Sequence, residues 1–201
     1  MHNSEPISAS QAVNRARGDK RSRTRESLIE AAVAVVRQKG YAQTSLEDIA
    51  AHAGMTRGAI YGNFRDRNDL FAAVAIARSP PIIPKPMPGT TLKAQMRAMG
   101  KAVAKAARER RPDGVHRAAF QLHVLSDESM RRRLEAQNNN IRRRILAAWK
   151  SALPVDPLPM PPERLIKVIS ALTDGLLTAH FQSPEHFNET VIVSAFEALA
   201  M

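Results

Sequence analysis

Apolar residues recur along this chain at intervals of three and four, the spacing that lines one face of an α-helix. Leu28, Ala32, Val35 and Val36 form the first such stripe, and Lys39-Gly40, a cation followed by glycine, closes it. Thr44-Ser45-Leu46-Glu47 has the form of a capping box, with Thr44 capping a backbone amide and Glu47 reaching back to the cap residue's own amide. A second helix bearing Leu46, Ile49, Ala50 and Ala53 is predicted there, and Gly54 ends it after barely two turns. Thr56 opens a third short helix with Ile60 and Phe64 inward, and Asp66 opens a fourth through Leu70, Phe71 and Val74 to about Arg78.

The prolines of SPPIIPKPMPG remove donors and clash with a preceding turn, so residues 79–90 form a loop between two regions. Beyond it, Leu92, Met96, Met99 and Val103 mark a helix to about Arg111, broken at Arg-Pro-Asp-Gly, and a shorter one follows from Val115 to Leu125. Met130, Leu134, Ile141, Ile145 and Ala148 mark a long helix to about Leu153, with two more expected near 162–182 and 185–200. Residues 1–20, polar and without periodicity, are expected to be a disordered basic tail; 21–66 form a compact helical module and 67–201 a second helical domain.

Composition agrees with an all-α fold, since Ala, Leu, Arg and Glu dominate where Val, Thr and aromatic residues would mark strands. The absence of cysteine excludes disulfides, thiolate nucleophiles and Cys-ligated metals. No apolar run approaches the roughly 20 residues that span a bilayer, and the N-terminal segment lacks the apolar core of a secretory signal, so a cytoplasmic protein is expected. A net charge of +11 points to a polyanionic partner. Arg15, Arg17, Lys20, Arg21, Arg23 and Arg25 face only Asp19, while residues 26–78 are balanced and those beyond carry a further excess of Arg and Lys.

The second and third helices, joined by Gly54-Met55, have the layout of a helix-turn-helix. With Ile60 and Phe64 inward, Arg57 and Tyr61, also four apart, project together from another face. Gly58 leaves no side chain between backbone and partner. Arg57 suits a guanine edge or a phosphate, Thr56 and Tyr61 suit phosphates, and Arg67 combines its charge with the amides of a helix start. The same spacing also fits any short helical hairpin with an exposed Arg and Tyr.

The segment GYAQTSLEDIAAHAGMTRGAIYGNFRDRNDLF resembles the DNA-binding domain of TetR-family transcriptional regulators. Gly40-Tyr41, Thr44, Ile49-Ala50, Ala53-Gly54, Thr56 and the Tyr61/Phe64 pair fall at that family's offsets over about a quarter of the chain. The resemblance implies a homodimer with a helical C-terminal domain for ligand binding and dimerisation. It also implies that Thr44, Thr56, Arg57, Gly58, Tyr61, Asn63 and Arg67 touch DNA. Gly62-Asn63 stand where many relatives carry an aromatic residue and His; Gly62 offers no contact and costs about 1 kcal/mol of helix stability.

The last two helices are apolar over more than one stripe. Leu165, Ile169, Leu172 and Leu176, with Phe187, Val191, Ala195 and Phe196, are candidates to meet a twin subunit in a four-helix bundle, or else lie centrally in a monomer. On the long helix Gln137 sits where an apolar residue is expected, so it lines a cavity, reaches water or satisfies a backbone group. Met99, Phe120, His123, Gln137, Ile141 and Trp149 are the candidate pocket residues. Few acidic residues lie in the helix interiors, which favours an anionic or neutral apolar effector over a cationic one. His116 and His123 are about 10 Å apart along their helix, too far to share one metal ion. No metal or cofactor is expected, and no nucleophile–base pair, carboxylate pair or phosphate-cradling loop marks an enzyme. The expected function is a ligand-responsive, sequence-specific DNA-binding regulator acting as a repressor; the alternative is a basic helical nucleic-acid binder without sequence preference.

Overall fold

The structure is a computed structural model that describes residues 9–78, 80–83, 87–150 and 158–200, with only the backbone described for 9–17 and 148–150. Its regular elements among the described residues are helices: α1 Ala9–Gln43, α2 Leu46–His52, α3 Arg57–Asn63, α4 Arg67–Arg78, α5 Leu92–Arg110, α6 Gly114–Ser126, α7 Glu128–Lys150, α8 Pro162–Gln182 and α9 Glu189–Glu197. None is long and apolar enough to cross a membrane among the described residues. The chain forms two compact units, dividing after Arg78.

In the first unit α1 breaks where the sequence puts its end: Gly40 takes φ 76°, a left-handed conformation that glycine adopts without a Cβ penalty. The helix starts earlier than expected, since residues 9–20, assigned to a disordered tail, have helical backbone from Ala9. Ala9, Gln11, Ala12, Arg15 and Ala16 are strong helix formers with no proline among them, and they extend a helix already nucleated by a buried stripe. That stripe, Leu28, Ala32, Val35 and Val36, packs with Ile49, Ile60, Phe64, Leu70, Phe71 and Val74 in one core. Tyr41 meets Phe71 edge-on, with ring centroids 5.4 Å apart. Because α4 buries Leu70, Phe71 and Val74 in this way, the division falls after Arg78 and not after Asp66, where the sequence placed it.

In the second unit, Thr91 caps α5 by accepting from Ala94 N at 3.2 Å, and Asp127 caps α7 by accepting from Met130 N at 2.9 Å. The core joins Met96, Met99, Val103 and Ala107 of α5 to Leu165, Ile169, Leu176 and Leu177 of α8 and to Ile192 and Phe196 of α9. α5 and α9 cross so closely that a Cβ on Gly100 would lie 2.7 Å from Val193 Cα. The last helix begins at Glu189, four residues later than expected, because Asn188 caps it by accepting from Val191 N at 3.2 Å.

The burial pattern corrects half of the predicted subunit contacts. Leu165, Ile169, Leu176 and Phe196 are at most 8% exposed and belong to the unit's own core, so they have no surface to offer a twin. Leu172 and Ala195 are half-buried, and Phe187 and Val191 are 36% and 40% exposed. On α8 a second stripe of small apolar residues, Val168, Ala171, Leu172, Gly175 and Ala179, runs about 120° round from the core side and retains accessible surface. The wide apolar arc therefore holds two faces, and the bulkier one is internal.

Candidate nucleic-acid interface

α2 is capped one residue later than the sequence suggested. Ser45, not Thr44, is the cap: its hydroxyl accepts from Asp48 N at 3.0 Å, while Ser45 N donates to Asp48 Oδ2 at 3.1 Å. Ser45-x-x-Asp48 and Thr44-x-x-Glu47 are overlapping versions of one motif, and the backbone's extended geometry at Ser45 decides between them. Lys39 Nζ lies 2.6 Å from Asp48 Oδ1. That ammonium, then the Ser45 bonds, pull the Asp48 carboxyl down to about 2. Thr44 turns inward, 2% exposed, its hydroxyl donating to Gly40 O at 2.7 Å.

Gly54 at φ 63° makes the turn, and Met55 N closes it on Ala50 O at 2.9 Å. Thr56 occupies the cap position of α3 with extended backbone, yet its exposed side chain makes no capping bond. Ile60 and Phe64 are buried at 1% and 2% exposure, which points the opposite side of this short helix outward. That outward side carries Arg57 and Tyr61. Arg57 Nη2 donates to Tyr61 Oη at 3.0 Å, the guanidinium sits 5.5 Å from the ring centroid, and its Nη1 lies 2.5 Å from Glu47 Oε1 on α2. The phenol oxygen and then the carboxylate hold this guanidinium still more firmly in its charged form.

Two glycines share the outward surface. A Cβ on Gly58 would meet only Thr56 Oγ1 at 3.6 Å, and one on Gly62 would meet nothing within 4 Å. Neither is required by a turn or by packing, so both leave bare helix backbone facing outward. From α1, Arg21 Nη2 donates to Gly62 O at 3.3 Å, which satisfies a carbonyl at the end of α3, and Arg25 stacks 4.8 Å from the Phe64 ring centroid. Lys20, Arg23, Thr24 and Ser27 of α1 line a shallow groove together with Met55 of the turn. The side chains of Arg15 and Arg17, which the sequence grouped with them, lie outside the described residues.

Thr56, Arg57, Gly58 and Tyr61 thus lie together on one exposed surface, while the other predicted contacts do not. Besides Thr44, Asn63 is half-buried and donates to Ala59 O at 2.8 Å. Arg67 donates to Tyr41 O at 2.6 Å and Thr44 O at 3.1 Å while stacking 4.4 Å from the Phe71 centroid, so it ties α4 to the turn before α2. Backbone carbonyls left over at the end of α1 recruit it, a demand invisible in a motif. Glu47 is the surface residue that sequence reasoning missed, because the motif assigned its carboxylate to the cap.

In the second unit, Met99 is 4% exposed and part of the core. Phe120 and His123 of α6 and Gln137 and Ile141 of α7 are half-buried, and the side chain of Trp149 lies outside the described residues. Gln137 Oε1 is enclosed with no hydrogen-bond partner among the described residues. On the neighbouring helix Arg117 Nη2 pairs with Asp174 Oδ1 at 2.6 Å, while its Nε is enclosed without an acceptor among the described residues. Arg110 donates to Pro80 O at 2.7 Å, and burial followed by the charge of Arg117 lowers its pKa.

Residues 28–74 match the family described as bacterial regulatory proteins, tetR family. The HTH-type transcriptional regulator AcrR of Shigella flexneri is 45% identical over 51 residues, a match covering 25% of this chain and 24% of that one. Aligned sequence therefore takes in about a quarter of that curated relative. Among solved structures, NalD of Pseudomonas aeruginosa, the secondary repressor of the MexAB-OprM multidrug efflux pump, has a TM-score of 0.55 at 20% identity, covering 87% of this chain and 93% of its own. SmeT, solved in complex with triclosan, has a TM-score of 0.59 at 21% identity, covering 87% and 90%. The capped α2, the Gly54 turn and the outward Arg57/Tyr61 face all lie within residues 28–74, the segment that matches the tetR family of bacterial regulatory proteins.

Proposed function

We propose that this protein is a ligand-responsive, sequence-specific DNA-binding transcriptional repressor, acting as a homodimer on a near-palindromic operator and released by a small molecule. The observation that carries the reading is the outward face of α3, where Arg57 and Tyr61 stand beside the bare backbone of Gly58. A helix start with no side chain in the way seats deeply in a major groove, Arg57 supplies paired donors for a guanine edge, and Tyr61 and Thr56 supply phosphate contacts. Lys20, Arg21 and Arg23 on α1 add electrostatic attraction to any duplex.

The partly accessible apolar stripe of α8, with Phe187, Val191 and Ala195, supports pairing of two chains. A two-fold would set the recognition helices about 34–36 Å apart, in successive major grooves. Repression is supported by NalD, which is itself a repressor, and small-molecule release by SmeT, which holds triclosan. An effector in the second unit needs to differ between two states by about 1–3 kcal/mol to release DNA. The half-buried guanidiniums of Arg110 and Arg117 favour an anionic or neutral ligand over a cation, and the enclosed Gln137 oxygen calls for a hydrogen-bond donor on it.

The test is selection of bound duplex from a random pool, followed by footprinting. A recovered two-fold motif with protected half-sites supports the reading. Equal retention of all duplexes overturns it in favour of the second reading, a basic binder working through the α1 cations alone.

A further inference from the structure

We propose that Glu47 is a positioning and specificity-determining residue: it holds Arg57 in the pose that reads DNA and penalises every duplex in which that pose finds no matching base. The inference rests on the DNA-binding reading of this face. It starts from the shifted cap. Because Ser45 and Asp48 cap α2 between themselves, Glu47 has no structural bond to make at its own helix start. Its side chain is 59% exposed, and its carboxylate reaches across the turn to α3, placing Oε1 2.5 Å from Arg57 Nη1.

Arg57 is thereby held from both helices at once, by Glu47 on one nitrogen and by Tyr61 Oη at 3.0 Å on another. An arginine with free rotamers loses conformational freedom on binding, whereas one already fixed loses less and presents its fork in a defined plane. The same carboxylate carries an electrostatic consequence. It stands on the surface that meets a polyanion, so it repels phosphates at generic sites while the α1 cations attract them. That repulsion is offset only where a base edge offers a donor; of the two major-groove donors, the cytosine N4 and adenine N6 amines, cytosine N4 is the usual one to donate to a carboxylate. A fixed Arg beside a Glu therefore selects a guanine flanked by a cytosine donor, by attraction at the right sequence and repulsion at wrong ones.

The experiment compares wild type, Glu47→Gln, Arg57→Ala and the double variant on the pool-selected duplex and a scrambled one, together with the base preferences each recovers from a random pool. Glu47→Gln removes the charge from an exposed site, and circular dichroism checks that each variant is folded. The expected result is tighter binding of the scrambled duplex by Glu47→Gln, a specificity ratio lower by roughly tenfold, and loss of preference at the base pair read by Arg57. In the Arg57→Ala background, where the guanine preference is already lost, Glu47→Gln is expected to cause no further loss at that base pair. Equal gains on both duplexes with unaltered preferences would show a bulk charge effect and overturn the proposal. If wild type itself fails to discriminate the two duplexes, the DNA-reading assignment falls first and the role of Glu47 with it.

Discussion

At the scale of single residues, the interface is defined as much by what is absent as by what is present. Gly58 sits in a helix that has room for a methyl group, the nearest atom to an added Cβ being Thr56 Oγ1 at 3.6 Å. Gly58→Ala is therefore expected to stabilise the first unit by about 0.5–1 kcal/mol in denaturant unfolding while weakening operator binding in gel-shift titration. Tighter binding by that variant would show that the backbone is not in the groove. Arg67 presents the reverse case, a cation whose position in a motif implied DNA but whose bonds go to Tyr41 O and Thr44 O. Arg67→Ala should lower unfolding stability by about 1–3 kcal/mol and leave the salt dependence of DNA binding unchanged. A shallower salt slope would return it to the list of phosphate contacts. Arg57 and Tyr61 were legible from the sequence because Ile60 and Phe64 fix which side of α3 is inside. Thr44, Asn63 and Arg67 were not, because their partners are backbone carbonyls, and no residue pattern records which carbonyls remain unsatisfied.

Among elements, two junctions carry testable strain or charge. Asp48 joins the cap of α2 to Lys39 on α1, and its carboxyl is lowered from 3.8 to about 2. The unfolded chain binds this proton more readily than the folded one, so the group stabilises the fold above about 4 and loses that contribution as pH falls toward about 2. Asp48→Asn should lower stability at neutral pH and flatten the acid limb of the unfolding profile over that window. An unchanged acid limb would mean the ion pair does not form in solution. At the crossing of α5 and α9, Gly100 leaves no space, with Val193 Cα only 2.7 Å from an added Cβ. A helical Gly→Ala change ordinarily stabilises, but here the clash is with backbone, so Gly100→Ala should destabilise by about 1–3 kcal/mol and lower Tm in calorimetry. A raised Tm would show that the two helices separate readily.

For the whole molecule, the proposed pairing turns on which apolar surface is left to meet another copy. Core burial removes Leu165, Ile169, Leu176 and Phe196 from consideration and leaves Val168, Ala171, Leu172, Gly175 and Ala179 with Phe187, Val191 and Ala195. A Cβ on Gly175 would meet nothing within 4 Å, which leaves room for the close backbone approach expected where helices pair. Val191→Glu is expected to convert a sedimenting dimer into a folded monomer and to cost operator affinity well beyond its small effect on α9 itself. A variant that remains dimeric would place the contact elsewhere.

The sequence by itself determined the all-helical fold, the helix-turn-helix with its family resemblance over residues 28–74, and the inner and outer sides of α3, because these depend on local periodicity, caps and turn glycines. Even the break in α1 at Gly40 follows from one residue's freedom to take φ 76°. Tertiary structure alone decided matters that depend on contacts distant in the chain. It assigned α4 to the first unit, chose Ser45 over Thr44 as cap, released Glu47 toward Arg57, turned Arg67 inward and sorted the two apolar faces of α8. The physical reason is common to all of them: a pattern specifies which side chains want burial or a partner, but only packed neighbours specify which partner is within reach.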